Sequence, residues 1–144
     1  MKKELIEQWL KANQLRKREP DKEKIKSMIE SSIVNMRIVK NIPFNDESAT
    51  VIFREAYESI RQLGDAQWWL QGYEPKNHEV SLELLKEIDI TNRIFLNHLP
   101  RFKIIRNDIN YRGYRASSIQ AREILDFWEE CGLEIIELLF KKLK

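Results

Sequence analysis

The chain has 144 residues, enough for one domain with a single core, and its four glycines and four prolines are too few for a turn-rich all-β fold. The single cysteine, Cys131, excludes an internal disulfide and argues against a cysteine-based zinc site. A net charge of +2 does not suggest a dedicated duplex-DNA-binding protein, and no apolar run approaches the roughly 20 residues that span a bilayer. The N-terminus lacks a signal-peptide core, so we expect a soluble, cytoplasmic protein with no membrane partner.

The first predicted element is an amphipathic helix from Lys3 to about Lys17. It lies within an N-terminal extension, residues 1–20, and residues 21–144 are predicted to form one helical bundle. The apolar face of the first helix is small and consists of Leu5, Ile6, Trp9 and Leu10.

Two long helices are predicted next. Asp21 is expected to cap the first of them, and Pro43 ends it because proline cannot continue a helix. Asn45 or Asp46 is expected to cap the second, whose apolar residues repeat at close to 3.5 residues. Gly72 follows the last periodic residue, the usual position of a C-terminal glycine.

The second half of the chain predicts three further elements. A short helix is expected near His78–Glu87. A further segment runs from about residue 91 to 111, and Pro100 should break or kink it, or begin its second half. The last helix should begin at Ser117, with Gln120 completing a capping box. No stretch keeps the alternation of a β-strand. The sequence therefore predicts an all-α, up-down bundle of four to five main helices with an extra N-terminal helix.

The tryptophans and histidines have ordinary structural explanations. Trp68, Trp69 and Trp128 are expected in the core or at a dimer interface; a base-stacking platform is the alternative. His78 and His98 have no carboxylate or second histidine at ligand spacing, so no metal site and no cofactor are predicted. His78, at a helix start, is expected to be packed and hydrogen-bonded.

The strongest candidate for a functional site is the polar, basic run RNDINYRGY, Arg106–Tyr114. Residues 1–40 carry eleven basic and six acidic side chains, and residues 41–100 carry five and ten, whereas residues 101–115 carry five and one. A basic segment beside an acidic one can concentrate an anionic ligand; chance clustering on a solvated helix face is the alternative. The candidate phosphate or nucleic-acid ligands are Arg101, Lys103, Arg106, Asn107, Asn110, Arg112 and Tyr114.

Two blocks of the sequence resemble the HEPN family of small all-α domains. The first is REAYESIRQLGDAQWWLQGYEPKNHEVSLELL, residues 54–85, which is similar to the family's long helix, Gly-Tyr turn and His-Glu pair. The second is RFKIIRNDINYRGY, residues 101–114, which resembles the family signature: an arginine, a polar residue and, four to six residues after the arginine, a histidine. The resemblance covers residues 21–143.

The resemblance implies a bundle of four or five helices, often dimeric, with the two signature segments near one cleft. Many HEPN members are metal-independent ribonucleases in toxin–antitoxin, defence or RNA-processing systems. Others pair with a nucleotidyltransferase-fold protein or have become binding modules. By position, Arg106 matches the family arginine and Asn107 the polar residue, whereas Tyr111 occupies the position of the histidine.

The tyrosine leaves the activity open. Arg106 and Tyr111 are the candidate catalytic residues, but a phenol is a poor base at neutral pH, although it can donate a hydrogen bond. Five residues of regular helix place them about 140° apart. We expect them to converge only if the helix ends near Asn110 or a partner subunit completes the site. Arg106 and Asn110 should share a face.

Three functional hypotheses and one structural alternative follow. The chain is a homodimer that binds RNA or nucleotide phosphate, a non-catalytic interaction subunit for a nucleotidyltransferase-type partner, or a ribonuclease in which Tyr111 replaces the histidine. The alternative is that Arg106 is a buried structural arginine that satisfies helix-end carbonyls or a neighbouring glutamate. Dimerisation is predicted from an apparent surplus of apolar side chains on the helices at 46–71 and 117–143, with Trp68, Trp69 and Phe140 to spare.

Overall fold

Six α-helices and one small sheet form the protein in the computed structural model, which describes residues 1–144. The predicted all-α class is confirmed at this level, because the chain is mostly helical and its two strands have three residues each. A π-helical turn, Trp128–Gly132, joins the last two helices into one helical segment. The helices are α1 (Lys3–Lys11), α2 (Lys22–Lys40), α3 (Ala49–Leu70), α4 (Leu99–Arg112), α5 (Ser118–Phe127) and α6 (Leu133–Lys142).

Three of the predicted helix boundaries are confirmed. The carboxylate of Asp21 accepts a hydrogen bond from the backbone N–H of Lys24 at 3.1 Å and caps α2. Ser117 and Gln120 form both bonds of the capping box at the start of α5, at 3.1 and 3.0 Å. Pro100 stands in the first turn of α4, where its missing N–H costs no helical hydrogen bond.

The predicted cap of α3 is wrong. Ser48 precedes its first residue, and Asn45 instead accepts a hydrogen bond from the Ser48 backbone N–H at 2.9 Å in the turn before the helix. An asparagine side chain bonds nearby backbone groups in turns as readily as at caps, so the sequence could not separate the two. Gly72 follows α3 with φ of +88°, as its position predicted.

The N-terminal helix is shorter than predicted. It ends at Lys11, and Asn13 then adopts φ of +59°, a left-handed conformation that asparagine tolerates better than most residues. Strand β1 (Leu15–Lys17) follows and pairs antiparallel with β2 (Tyr73–Pro75). Strands of three residues are too short for an alternating pattern to be recognised.

The predicted helix at His78–Glu87 is also wrong. The chain forms successive turns there, with one 3-10 turn at Leu85–Glu87. The apolar residues of the segment are buried against different neighbours: Leu85 lies in the main core, whereas Val80 and Leu84 lie in a smaller cluster with Trp68. One face of a short helix could not serve both clusters.

The core surrounds α3, which packs along α2 and also contacts α4, α5 and α6. Trp69 and Trp128 belong to this core, and Trp68 belongs to the smaller cluster on which α1 packs through Trp9, edge to face at 5.9 Å. All three predicted core tryptophans are therefore buried, and none offers an open base-stacking surface. No helix combines the length and apolar character that crossing a membrane requires.

Candidate phosphate-binding pocket

Helix α4 presents one buried face and one polar face. Gly113, with φ of +68°, ends the helix after Arg112. Residues at spacings of three and four point into the core: Leu99, Phe102, Ile105 and Ile109. The polar face borders a pocket of about 310 Å³ between α4 and the turn that follows β2. Its lining residues are Asn77, His78, Glu79, Lys103, Arg106, Asn107 and Tyr111.

Four of the predicted site residues therefore line one pocket: Lys103, Arg106, Asn107 and Tyr111. Helix α4 ends at Arg112, two residues beyond Asn110 and directly before Gly113, so its end lies close to the expected one. The convergence of Arg106 and Tyr111 on one ligand stays a prediction. Long aromatic side chains on a helix point back towards its N-terminus, so the Tyr111 ring can reach the preceding turn. Asn110 is exposed and does not line the pocket, although it lies one turn from Arg106.

The other predicted ligands lie outside the pocket. Arg101 forms an ion pair with Glu123 of α5, and Arg112 contacts Asp108 at 3.7 Å on the exposed surface. The hydroxyl of Tyr114 donates a hydrogen bond to the side chain of Gln120 at 3.0 Å. Arg101 and Tyr114 thus contact α5, Arg112 contacts its own helix, and the three side chains are not arranged around a common ligand.

Arg106 differs from the other cations of α4. Its Nη1 donates to Asn107 Oδ1 at 3.1 Å, and its guanidinium lies over the Tyr57 ring at 5.6 Å from the ring centre. No aspartate or glutamate forms an ion pair with it, and no helix-end carbonyl accepts its hydrogen bonds. Glu58 of α3 is nevertheless near enough for the charge of Arg106 to lower the pKa of that carboxyl. Lys103, in contrast, is paired with Glu79 at 2.9 Å.

The turn that carries His78 is fixed to both neighbouring helices. Lys103 Nζ donates to the backbone oxygen of Glu79 at 2.7 Å, and Trp68 Nε1 donates to the backbone oxygen of Val80 at 2.8 Å. Within the turn, Asn77 Oδ1 accepts from the backbone N–H of Glu79 at 3.0 Å. These bonds hold the backbone that directly follows His78. The side chain of His78 is exposed, so the prediction that it is packed is wrong.

A glycine of α3 allows the same turn to approach closely. A Cβ atom on Gly64 would lie 2.1 Å from the backbone oxygen of Ser81, far inside contact distance. Because neither backbone can accommodate that overlap, glycine at this position keeps the 77–81 turn against α3.

An ionic cluster of α3 lies close to the pocket. Arg61 is buried and forms ion pairs with Glu58 and Asp65, one turn away on either side. The hydrogen bond from Arg61 lowers the pKa of Glu58, whereas burial raises the pKa of Asp65 to about 6. Burial also raises the pKa of Tyr57 to about 12, against the opposing effect of Arg106, so this phenol stays protonated.

The charge state of His78 follows from the same surroundings. Partial burial is the main cause that lowers its pKa, and the positive charges of Arg61 and Arg106 act in the same direction, against Glu58. The imidazole is therefore predominantly neutral at pH 7.

The sequence analysis missed His78 and the cluster on α3 as parts of this site. A signal for the cluster was present: Glu58, Arg61 and Asp65 form a charged strip at helical spacing on an otherwise buried helix. For His78 the signal was weaker: the His-Glu pair belongs to the first HEPN-like block, but its place in the pocket depends on a turn that the sequence predicted as a helix.

The functional identity of the site rests on its own geometry. No family model, no curated protein and no solved structure matches the chain. The HEPN resemblance therefore stays a prediction from the two sequence blocks. No group of three or more histidine, cysteine, aspartate and glutamate side chains is arranged to hold a metal ion.

Proposed function

We propose that the protein is a cytoplasmic HEPN-type helical domain that binds the phosphate of single-stranded RNA or of a nucleotide at Arg106. The observation that carries this proposal is the unpaired guanidinium of Arg106 in a polar pocket. The two blocks that resemble the HEPN family, residues 54–85 and 101–114, both contribute to that pocket, through the 77–79 turn and through α4. A signature divided between two segments in this way supports one common site.

The chemistry of the pocket suits a phosphate. A guanidinium donates two parallel hydrogen bonds to phosphate oxygens, and such charge-assisted bonds are among the stronger polar contacts of proteins. The stacking of Arg106 over Tyr57 and its bond to Asn107 fix the direction of the fork before a ligand arrives. A pre-oriented donor loses less entropy on binding.

Two neighbours suit the remainder of a nucleotide. Tyr111 is 77% exposed, so its ring is open to stacking by a base. The Asn107 side chain accepts from Arg106 through its oxygen, which leaves its amide group as a donor towards the ligand. Lys103 adds less positive potential to the pocket than Arg106 does, because Glu79 neutralises the charge of Lys103.

Titration of single-stranded RNA tests the proposal. We expect Arg106→Ala to weaken binding about 10- to 100-fold, which corresponds to a lost charge-assisted hydrogen bond of about 1.5–3 kcal/mol. Arg106→Lys should recover only part of the affinity because the charge remains but the fork is lost.

The matched control is Arg112→Ala, which removes the same charge from the same helix at a side chain that is 82% exposed and outside the pocket. It should change the affinity less than Arg106→Ala and reduce the salt dependence by at most a small amount. Equal affinities of wild type and folded Arg106→Ala would contradict the proposal.

A second candidate function is protein interaction, through a homodimer or a nucleotidyltransferase-fold partner. The apolar surplus predicted for α3 does not support it, because Trp68 and Trp69 are buried within the chain. The observation that favours it is a groove of about 420 Å³ between α2 and the π-helical turn with α6, where Leu133 is 66% exposed. The groove is lined by Ile33, Met36, Arg37, Lys40, Trp128, Glu129, Leu133 and Ile136.

Sedimentation equilibrium at tens of micromolar tests the homodimer. We expect a dimer for the wild type and a monomer for Leu133→Lys, since an exposed lysine would place a charge in the apolar contact. Ile119→Lys, at an equally exposed isoleucine of α5 outside the groove, is the control and should stay dimeric. A 17 kDa wild-type species would refute self-association.

A further inference from the structure

The pocket around Arg106 contains an imidazole that the sequence signature lacks. His78 reaches the pocket from the turn after β2, whereas the signature position on α4 holds Tyr111. We propose that His78 is the general base of an RNA-cleaving reaction in this pocket, where it takes the proton of a 2′-hydroxyl beside the phosphate held by Arg106. This inference rests on the proposed phosphate binding and assigns a catalytic residue, from outside the sequence signature, to that pocket.

The 77–79 turn and α4 form opposite sides of one pocket of about 310 Å³. A phosphate bound to the Arg106 guanidinium would therefore lie between that helix and the imidazole. The ribose 2′-hydroxyl is two bonds from the carbon that carries the 3′-phosphate oxygen, so a group beside the phosphate also reaches the hydroxyl.

The backbone next to His78 is held in place, although the imidazole itself makes no hydrogen bond. Lys103 holds the backbone and side chain of Glu79, at 2.7 and 2.9 Å, and Asn77 accepts from the Glu79 backbone N–H. Lys103 and Asn77 are therefore positioning residues. No hydrogen bond holds the imidazole of His78, which leaves its nitrogens available to a substrate.

The surroundings of His78 favour its neutral form. Partial removal from water and the positive charges of Arg61 and Arg106 lower its pKa, so the neutral imidazole, which a base requires, predominates at pH 7. The charged and titratable groups that face it come from all three surrounding elements. They are Glu58 and Arg61 of α3, Glu79 of the turn, and Lys103, Arg106 and Tyr111 of α4.

The reaction balances without a metal or a redox partner. His78 takes the proton of the 2′-hydroxyl, and the 2′-oxygen forms a bond to phosphorus. The bond between phosphorus and the 5′-oxygen breaks, and that oxygen receives the proton of the Tyr111 hydroxyl. The products are a 2′,3′-cyclic phosphate and a 5′-hydroxyl, and the imidazolium returns its proton to the tyrosinate through water. Arg106 stabilises the extra negative charge on the phosphorane.

The test uses a single-stranded DNA oligonucleotide that carries one ribonucleotide, and a second oligonucleotide with a 2′-O-methyl group at that position. We expect the wild type to bind both and to cleave only the first, leaving a cyclic phosphate. His78→Ala should bind with unchanged affinity and cleave about 10²- to 10⁴-fold more slowly. Added imidazole should restore part of that rate, which a merely structural role would not allow.

The control is His98→Gln, at the other histidine of the chain, which lies outside the pocket and bonds Arg101. Its cleavage rate should equal that of the wild type. The rate of the wild type should be level near pH 7, where His78 is neutral and Tyr111 keeps its proton, and fall as the pH drops below the ordinary histidine pKa of about 6.5.

The outcomes separate the two proposals. If the wild type binds the 2′-O-methyl oligonucleotide but cleaves nothing, or if His78→Ala cleaves at the wild-type rate, the role of His78 is refuted and phosphate binding stands. If neither oligonucleotide binds, the proposed function fails, and the role of His78 fails with it.

Discussion

Two arginines of α4 each have a histidine beside them, but their surroundings differ. Arg101 Nη2 lies 3.0 Å from His98 Nδ1 and forms an ion pair with Glu123. Arg106 shares its pocket with His78 and has no carboxylate partner. The first pair connects α4 to α5, and the second faces an open pocket.

The rings of the two histidines differ in the same way. His98 is stacked on Phe102 at 5.7 Å and lies 6.0 Å from Phe95, so its neighbours are aromatic. His78 lies on an exposed turn between charged groups. The charge of residues 101–115 therefore does not define the site. The cationic side chains of this segment differ in their bonding partners, which lie on α5 and in the turn after β2.

The largest expected effect is a gain of RNA-cleaving activity from a substitution within the pocket. Tyr111→His should raise the rate of RNA cleavage about 10²-fold or more, because an imidazole transfers protons near neutral pH better than a phenol. The single-ribonucleotide oligonucleotide measures the rate. Tyr114→His is the control, since that side chain contacts Gln120 outside the pocket. Retained RNA binding without any gain from Tyr111→His would favour the non-catalytic interaction role.

The next largest effect is expected from a substitution that displaces the 77–81 turn, which carries His78 into the pocket of Arg106. Gly64→Ala should lower the free energy of unfolding by about 1–3 kcal/mol, because the new methyl group meets the Ser81 backbone. The same displacement should weaken RNA binding. Urea denaturation and RNA titration measure the two losses.

Gly113→Ala is the matched control for that substitution. No atom lies within 4 Å of the added methyl group, but φ of +68° makes alanine strained there, at about 1 kcal/mol. We expect Gly113→Ala to lose less stability than Gly64→Ala and to bind RNA with the affinity of the wild type. A Gly64→Ala protein as stable as wild type would show that the turn can move away from α3 at no cost.

A third arginine, Arg61, extends the comparison because it has two carboxylate partners. Burial raises the pKa of Asp65 to about 6, above its value of roughly 3.9 in an unfolded chain. The folded protein therefore binds this proton more tightly, and the stabilisation is complete below pH 3.9 and is lost as the pH rises through 6.

Asp65→Asn removes that dependence. The stability of the wild type relative to Asp65→Asn, from urea denaturation, should be greater at pH 4.5 than at pH 7.5. Glu58 titrates in both proteins and its effect largely cancels in the difference. An equal difference at the two pH values would mean that Arg61 keeps Asp65 ionised in spite of its burial.

The smallest expected effect is a gain of affinity. Glu79→Gln removes the negative charge that neutralises Lys103, so RNA binding should strengthen about 2- to 5-fold, in line with a weak exposed ion pair. Glu123→Gln releases Arg101 in the same manner, but outside the pocket, and should change the affinity less. If both substitutions strengthen binding equally, the RNA follows the overall charge of α4 and not the pocket.

The long helices, and some of the residues at which they begin, could be predicted from the amino-acid sequence alone. Apolar spacing predicted the long helices, and Asp21, Pro100 and Ser117 marked three of their starts, because capping and proline act within a few residues of chain. It also singled out the 101–115 segment and Arg106 within it. Each of these features depends on neighbours in sequence, which a reading of the chain can see.

Other features depend on contacts between residues that are far apart in the sequence, and only the folded structure shows them. The 77–81 turn is held by Trp68, Gly64 and Lys103, which come from two distant helices, and this contact overrides the helix predicted there. The same contact brings His78 to Arg106, while an ion pair with α5 removes Arg101 from the site. Packing between distant segments sets which charges are paired, and so only the folded chain distinguishes one arginine from another.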